Sequence, residues 1–153
     1  MTTNNNSIKV VATNKKASFL YTLISSYESG ISLLGSEVKA IRENKVNIKE
    51  SYIVIRKNEI FILGMHIGEY SHSGYSSHAP LRDRKLLLHR QEINKIVKEV
   101  KDVGKTLIPT KIYFKSGKLK VKFYVAKGKK VWDKRQSKKE KDIKRDIDRE
   151  MKR

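Results

Sequence analysis

The chain contains no cysteine among its 153 residues, which excludes disulfide stapling and removes the thiolates that a closed structural zinc site draws on. It is also short of acid: 16 Asp+Glu face 35 Lys+Arg, for a formal net charge of +19 and a pI near 10.1. No segment approaches the ~20 consecutive apolar residues of a membrane span. Neither terminus carries a lipidation motif, and the first residues lack the charged-then-apolar pattern of a secretory signal. A cytoplasmic protein is therefore expected, without membrane attachment. Its partner should be polyanionic, because counterion release from phosphates rewards so large a cationic excess, and a nucleic acid fits better than a lipid surface.

The machinery of an enzyme is equally scarce. Val103-Gly104-Lys105-Thr106 looks like the end of a phosphate-binding loop, but the glycine required five residues before Gly104 is Glu99, and the segment leaves a helix to enter a strand, the reverse of the needed context. His66, His72, His78 and His89 lack the paired spacing of a helical zinc site, so they are expected at the surface or facing RNA. Carboxylates are scattered, and no nucleophile stands with a base. Neither catalysis, nor a metal, nor a cofactor is expected.

What is present reads as one mainly β domain with short helices. Residues 8–12, 19–24, 30–34, 52–56, 59–65, 106–114 and 119–126 have strand character, with a turn or bulge at Tyr27-Glu28-Ser29-Gly30. Lys57-Asn58 makes a two-residue hairpin connection in which Asn58 supplies the αL-tolerant position, and Ser116-Gly117 joins the last two strands. Gly35-Ser36-Glu37 opens a short helix with Ser36 as its N-cap, and a second helix runs from Arg90 with Ile93, Ile96, Val97, Val100 and Val103 on one face, stopping at Gly104. Arg82 to Arg90 sets two arginines and a lysine directly before three leucines. At the start of a helix this is a turn with solvated charges and core leucines; the competing reading is a surface that grips a nucleic-acid backbone or stacks bases. A small closed or partly closed barrel of the oligonucleotide-binding type follows from this element list, over residues 8–126, after a mobile leader at residues 1–7.

Residues 127–153 differ from the rest. They alternate lysine, arginine and acid and hold only Val131, Trp132, Ile143, Ile147 and Met151 as large apolar side chains. Alone in water such a segment is expected to be disordered, since it cannot bury enough surface to offset its ordering entropy. Ile143, Ile147 and Met151 nevertheless recur every four residues, one stripe for a helix formed against a partner.

Five blocks now carry a resemblance: Asn14-Lys15-Lys16-Ala17, the stretch from Tyr27 to Lys39, Asn47-Ile48-Lys49-Glu50-Ser51-Tyr52, Arg82 to Leu88, and Val125 to Lys130 with Asp133-Lys134-Arg135. In that order the chain resembles the family of SsrA-binding proteins, small protein B. The resemblance implies a bacterial RNA-binding protein, acting as a monomer, that partners transfer-messenger RNA in trans-translation, the rescue of stalled ribosomes. It implies a barrel that grips the tRNA-like domain and a tail that turns helical in the empty mRNA channel beyond the decoding centre, against ribosomal RNA. It implies also that alanyl-charged RNA arrives with elongation factor Tu. By position, Asn14, Glu28 and Leu87 match RNA-binding residues of the family, with Lys15, Arg84 and Lys85 beside them in the same blocks; Asp133, Lys134 and Arg135 match its ribosome-acting motif. Lys129, Lys130, Trp132, Ile143, Ile147 and Met151 complete the expected ribosome-binding tail. Trp132 stands where the family has His or Tyr, which keeps a stacking plane and loses a proton-transfer group. Glu50 replaces a usual Asp, Asn44 a usual Gly, and Glu150 an apolar residue. The alternative, from composition alone, is a ribosome-associated structural RNA-binding protein.

Overall fold

The structure is a computed structural model that describes residues 7–72 and 78–151, with residues 131–133 described by their backbone only. All but the last residue of the expected leader lies outside the described residues. Among the described residues, nine strands and four helices follow in the order β1 (Ile8–Thr13), α1 (Ala17–Leu20), β2 (Tyr21–Ile31), α2 (Gly35–Arg42), β3 (Val46–Asn47), β4 (Tyr52–Arg56), β5 (Glu59–Leu63), β6 (His66–Ile67), β7 (Arg84–Leu87), α3 (Arg90–Val100), β8 (Lys105–Lys115), β9 (Lys118–Gly128) and α4 (Val131–Met151).

Strand pairing closes on itself. β8 pairs with β4, β4 with β5, β5 with β7, β7 with β2, β2 with β9, and β9 returns to β8; β1 adds to the far half of β8. Closure leaves β1 as the outer strand of the ring, β3 and β6 pair apart from it, and the ring encloses the main core. Alternation fills it: Ile53, Ile60, Ile62, Leu86, Leu107, Ile112, Val121, Phe123 and Val125 point inward, and Ile41, Ile93 and Ile96 of the helices pack against them. Each such side chain contributes about 1.5–3 kcal/mol of burial. Both turns form, Asn58 with the expected positive φ, and Lys57, Ser116 and Gly117 adopt it as well.

Several expectations are corrected. Residues 19–20 end a helical turn, and β2 then runs unbroken through the expected turn at 27–30, because Tyr27 to Gly30 all pair with β9; the bulge falls between Leu23 and Ser25. The N-cap of α2 is Leu34, whose N–H donates to Glu37 Oε1 at 2.8 Å, while Ser36 turns to His78. Helix α3 ends at Val100, so Val103 is 98% exposed and Gly104 bends the chain into β8. The segment after Arg82 is strand β7, in which burial alternates residue by residue. The tail, expected to be disordered by its composition, is helix α4: its residues are mostly good helix formers, and it rests against α1.

Candidate nucleic-acid interface

The outward positions of β1, β8, β9, β2 and β7 make one continuous surface. On β8, Lys111, Tyr113 and Lys115 share a face; opposite them on β9 stand Lys122, Lys120 and Lys118, followed by Tyr124. On β2, Glu28 faces Lys122, and Gly30 lies between Lys120 on one side and Leu87 of β7 on the other. Val10 and Ile8 of β1, exposed at 48% and 57%, border it beside Tyr113 and Lys115. Strand geometry makes this surface: residues two apart point the same way, so a lysine at every second position becomes a cationic stripe.

Among the described residues, Glu28 is the one acid on these strands. The Tyr113 hydroxyl donates to its Oε2, and Lys115 Nζ lies 3.6 Å from its Oε1. The Tyr113 hydrogen bond, then Lys115 and Lys120, hold its carboxyl below the usual carboxylate range against the opposing effect of burial. Burial and the Glu28 charge push the Tyr113 phenol up in turn. Glu28 is thus a fixed anion in a cationic field, able to accept from a base amino group. Leu87 lies alongside, 52% exposed, its side chain resting over the bare backbone of Gly30, where an added Cβ would meet Leu87 Cβ at 3.4 Å. An apolar side chain held out at a strand position in this field offers a contact for a base or ribose face.

Asn14 sits at the other end. Its N–H donates to Thr110 O at 2.7 Å and its Nδ2 to Pro109 O at 3.4 Å, bracing β1 against the bulge of β8, and with Lys15 it borders a cavity shared with Lys111, Lys122 and Tyr124. Lys122 Nζ lies 5.8 Å from the Tyr124 ring centroid, a cation–π contact that keeps an aromatic and a charge side by side. Asn14, Glu28 and Leu87, distant in sequence, therefore fall on one surface. The tyrosines and lysines of β8 and β9 were missed in the sequence, although their spacing of two is visible there.

Arg84 does not belong to this surface. It is fully buried: its Nε donates to Glu37 Oε2, its Nη1 to Met65 O at 2.6 Å and its Nη2 to Pro80 O at 3.2 Å. Arg82 Nη2 reaches Glu37 Oε1 at 2.5 Å. Burial works to raise the Glu37 carboxyl, but Arg82, the Leu34 N–H and Arg84 together hold it below its usual range. This is an internal clamp joining α2 to β7, and strand alternation explains it, since Arg84 and Leu86 point in while Lys85 and Leu87 point out. Lys85 pairs with Glu59 at 3.1 Å on the outside. His78, expected at the surface, is buried between Ser36 Oγ at 2.9 Å and Ile67 O at 3.0 Å. Among the described residues no group of three His, Asp or Glu is placed to hold a metal ion.

In the tail, Lys129 is anchored: its N–H donates to Leu20 O at 3.0 Å and its Nζ to Ser18 O at 2.9 Å. Lys130 O accepts from Lys134 N at 3.1 Å in the first turn of α4, Arg135 is exposed, and the side chains of Trp132 and Asp133 lie outside the described residues. Ile143, Ile147 and Met151 are 53%, 51% and 82% exposed, an apolar stripe uncovered by the barrel.

The model of the SmpB protein family matches residues 11–153. The chain is similar to the SsrA-binding protein of Syntrophobacter fumaroxidans, 46% identical over 145 residues that cover 95% of this chain and 90% of that one. It is also similar to the SsrA-binding protein of Acetivibrio thermocellus, 48% identical over 144 residues, covering 94% of each. A solved chain described as tmRNA-SmpB on a journey to the centre of the bacterial ribosome superposes with a TM-score of 0.65 at 38% identity, covering 78% of this chain and 84% of that one.

Proposed function

The chain belongs to the SmpB protein family, and from that premise we propose that it binds the tRNA-like domain of transfer-messenger RNA and brings it to stalled ribosomes for trans-translation. The observation that carries the reading is the cationic outer surface of β8, β9 and β2, with ionised Glu28 inside it and Leu87 at its edge. Asn14, Lys15, Glu28, Lys85 and Leu87 are its proposed RNA-facing residues. The barrel of residues 8–126 binds the RNA; the tail of residues 127–153 serves the ribosome, with Lys129, Lys130, Lys134 and Arg135 tracking phosphates, Trp132 stacking on an exposed base and Asp133 completing the motif. The stripe of Ile143, Ile147 and Met151 docks in the mRNA channel. The protein acts as a monomer in the cytoplasm, with alanyl-charged RNA delivered by elongation factor Tu, and it supplies no catalytic group of its own.

The test is a comparison of RNAs. The full chain should prefer the tRNA-like RNA over a random duplex, and the preference should persist as salt is raised while total affinity falls. A preference that vanishes as fast as the total affinity would reduce the protein to a nonspecific cationic binder.

A further inference from the structure

Barrel and tail meet at a cavity of about 370 Å³ whose wall includes Asn14, Lys15, Lys111, Lys122, Tyr124 and Lys141. Lys15 lies between β1 and α1, Lys111 on β8, Lys122 on β9 and Lys141 on α4, so four separate parts of the fold each bring one lysine to the wall of the same space. Among the described residues, none that lines it is acidic. Among the described residues, none of the four lysines is in an ion pair. The helix is fixed in this position by Lys129, whose Nζ bridges Ser18 O at 2.9 Å and Ser137 Oγ at 2.6 Å. Lys141 follows Ser137 by four residues, and so rises on the helix face that meets the barrel.

Four like charges around one space repel, and the repulsion is relieved by an anion that several lysines reach at once. A nucleic-acid phosphate has the charge and the acceptor oxygens, and the cavity opens at the Asn14 end of the cationic surface. We propose that this cavity holds a backbone phosphate of the tRNA-like RNA and that Lys141 closes it from the tail, so that RNA binding and the seating of α4 on the barrel support each other. The inference rests on the function proposed above. It adds to it that a tail residue belongs to the RNA site, and linkage requires the help to be mutual.

The experiment compares two full-length variants, Lys141→Ala and Lys139→Ala, which remove the same charge from the same helix; Lys139 does not line the cavity. Lys141→Ala should weaken binding of the tRNA-like RNA about fivefold at roughly 0.15 M salt and shrink the slope of log K against log[salt] by about 0.9, one lost phosphate contact, with Lys139→Ala changing affinity by less than about twofold. Equal effects overturn the proposal. Because the chain has no cysteine, a single nitroxide on Lys138→Cys should broaden the amides of residues 15–18 in the free protein and keep doing so when the RNA is added. Broadening that disappears on RNA addition means that the RNA displaces the helix, and also overturns it. Inorganic tripolyphosphate is the third arm: binding that depends on Lys141 for this probe but not for the RNA assigns the cavity to a free polyphosphate and removes the RNA from it. If equal variant effects accompany an intact preference for the tRNA-like RNA, the clamp alone fails; if the wild-type chain has no such preference, the functional reading fails.

Discussion

At the scale of single residues, two acids in a very basic chain do opposite work. Glu28 stands on the surface as an ionised acceptor, and Leu87 beside it is apolar where solvent would favour a polar group. Glu28→Ala and Leu87→Asp should each weaken binding to the tRNA-like RNA by about 1 kcal/mol or more, the scale of one base contact or one buried apolar contact. Gel-shift titration at fixed salt on variants with native circular dichroism checks this; unchanged affinity in both removes the surface from the binding site. Glu37 works inside, as the carboxylate ion-paired with the buried Arg84. Glu37→Gln should destabilise the fold by about 3–5 kcal/mol, because a buried guanidinium is left without its countercharge. Since the Glu37 carboxyl is held below its ordinary value of 4.5, its contribution is fully present above that pH and is lost as the pH falls through the lower native value. Urea denaturation at neutral pH and below pH 4.5 should therefore show the gap between wild type and variant narrowing in acid. A constant gap contradicts the assignment.

At the scale of elements, the hairpins, α2 and most of α3 were legible from turn residues and apolar spacing, because those signals act within a few residues. Strand β7 was not. Arg82 to Leu88 reads locally as a charged helix start, and only its pairing with β5 and β2 turns Arg84 inward to Glu37, a partner 47 residues away in sequence. Gly30 misled in the same way, since a glycine that looks like a turn is carried through by a ladder of pairs with β9. The RNA surface was half legible: Glu28 and Leu87 were odd enough to notice, whereas Tyr113 and Lys120 become neighbours only through the register of β8 and β9. Gly64, between β5 and β6, is a site where the fold needs a missing side chain: φ is +72° and an added Cβ would lie 2.7 Å from Glu50 O. Gly64→Ala should cost more than the ~1 kcal/mol of ordinary left-handed strain, because the obstacle is backbone that cannot rotate away. A thermal melt matching wild type contradicts this.

At the scale of the whole molecule, a closed barrel with a cationic face carries a helix of 21 residues whose apolar stripe stays at least half exposed. Composition alone predicted disorder there, since the stripe is too narrow to sustain a helix by burial; the helix is instead supported by favourable local propensity and by its seat on α1. The division of labour between the two parts is the central claim, and deletion of residues 132–153 tests it most directly, with RNA affinity and alanine transfer to a stalled nascent chain measured on the same preparation. The truncated protein should keep its preference for the tRNA-like RNA, with affinity within about tenfold of the full chain, the margin left for Lys141, and should lose alanine transfer. A truncated protein that still supports transfer, or one that no longer distinguishes the tRNA-like RNA from a random duplex, would contradict the account.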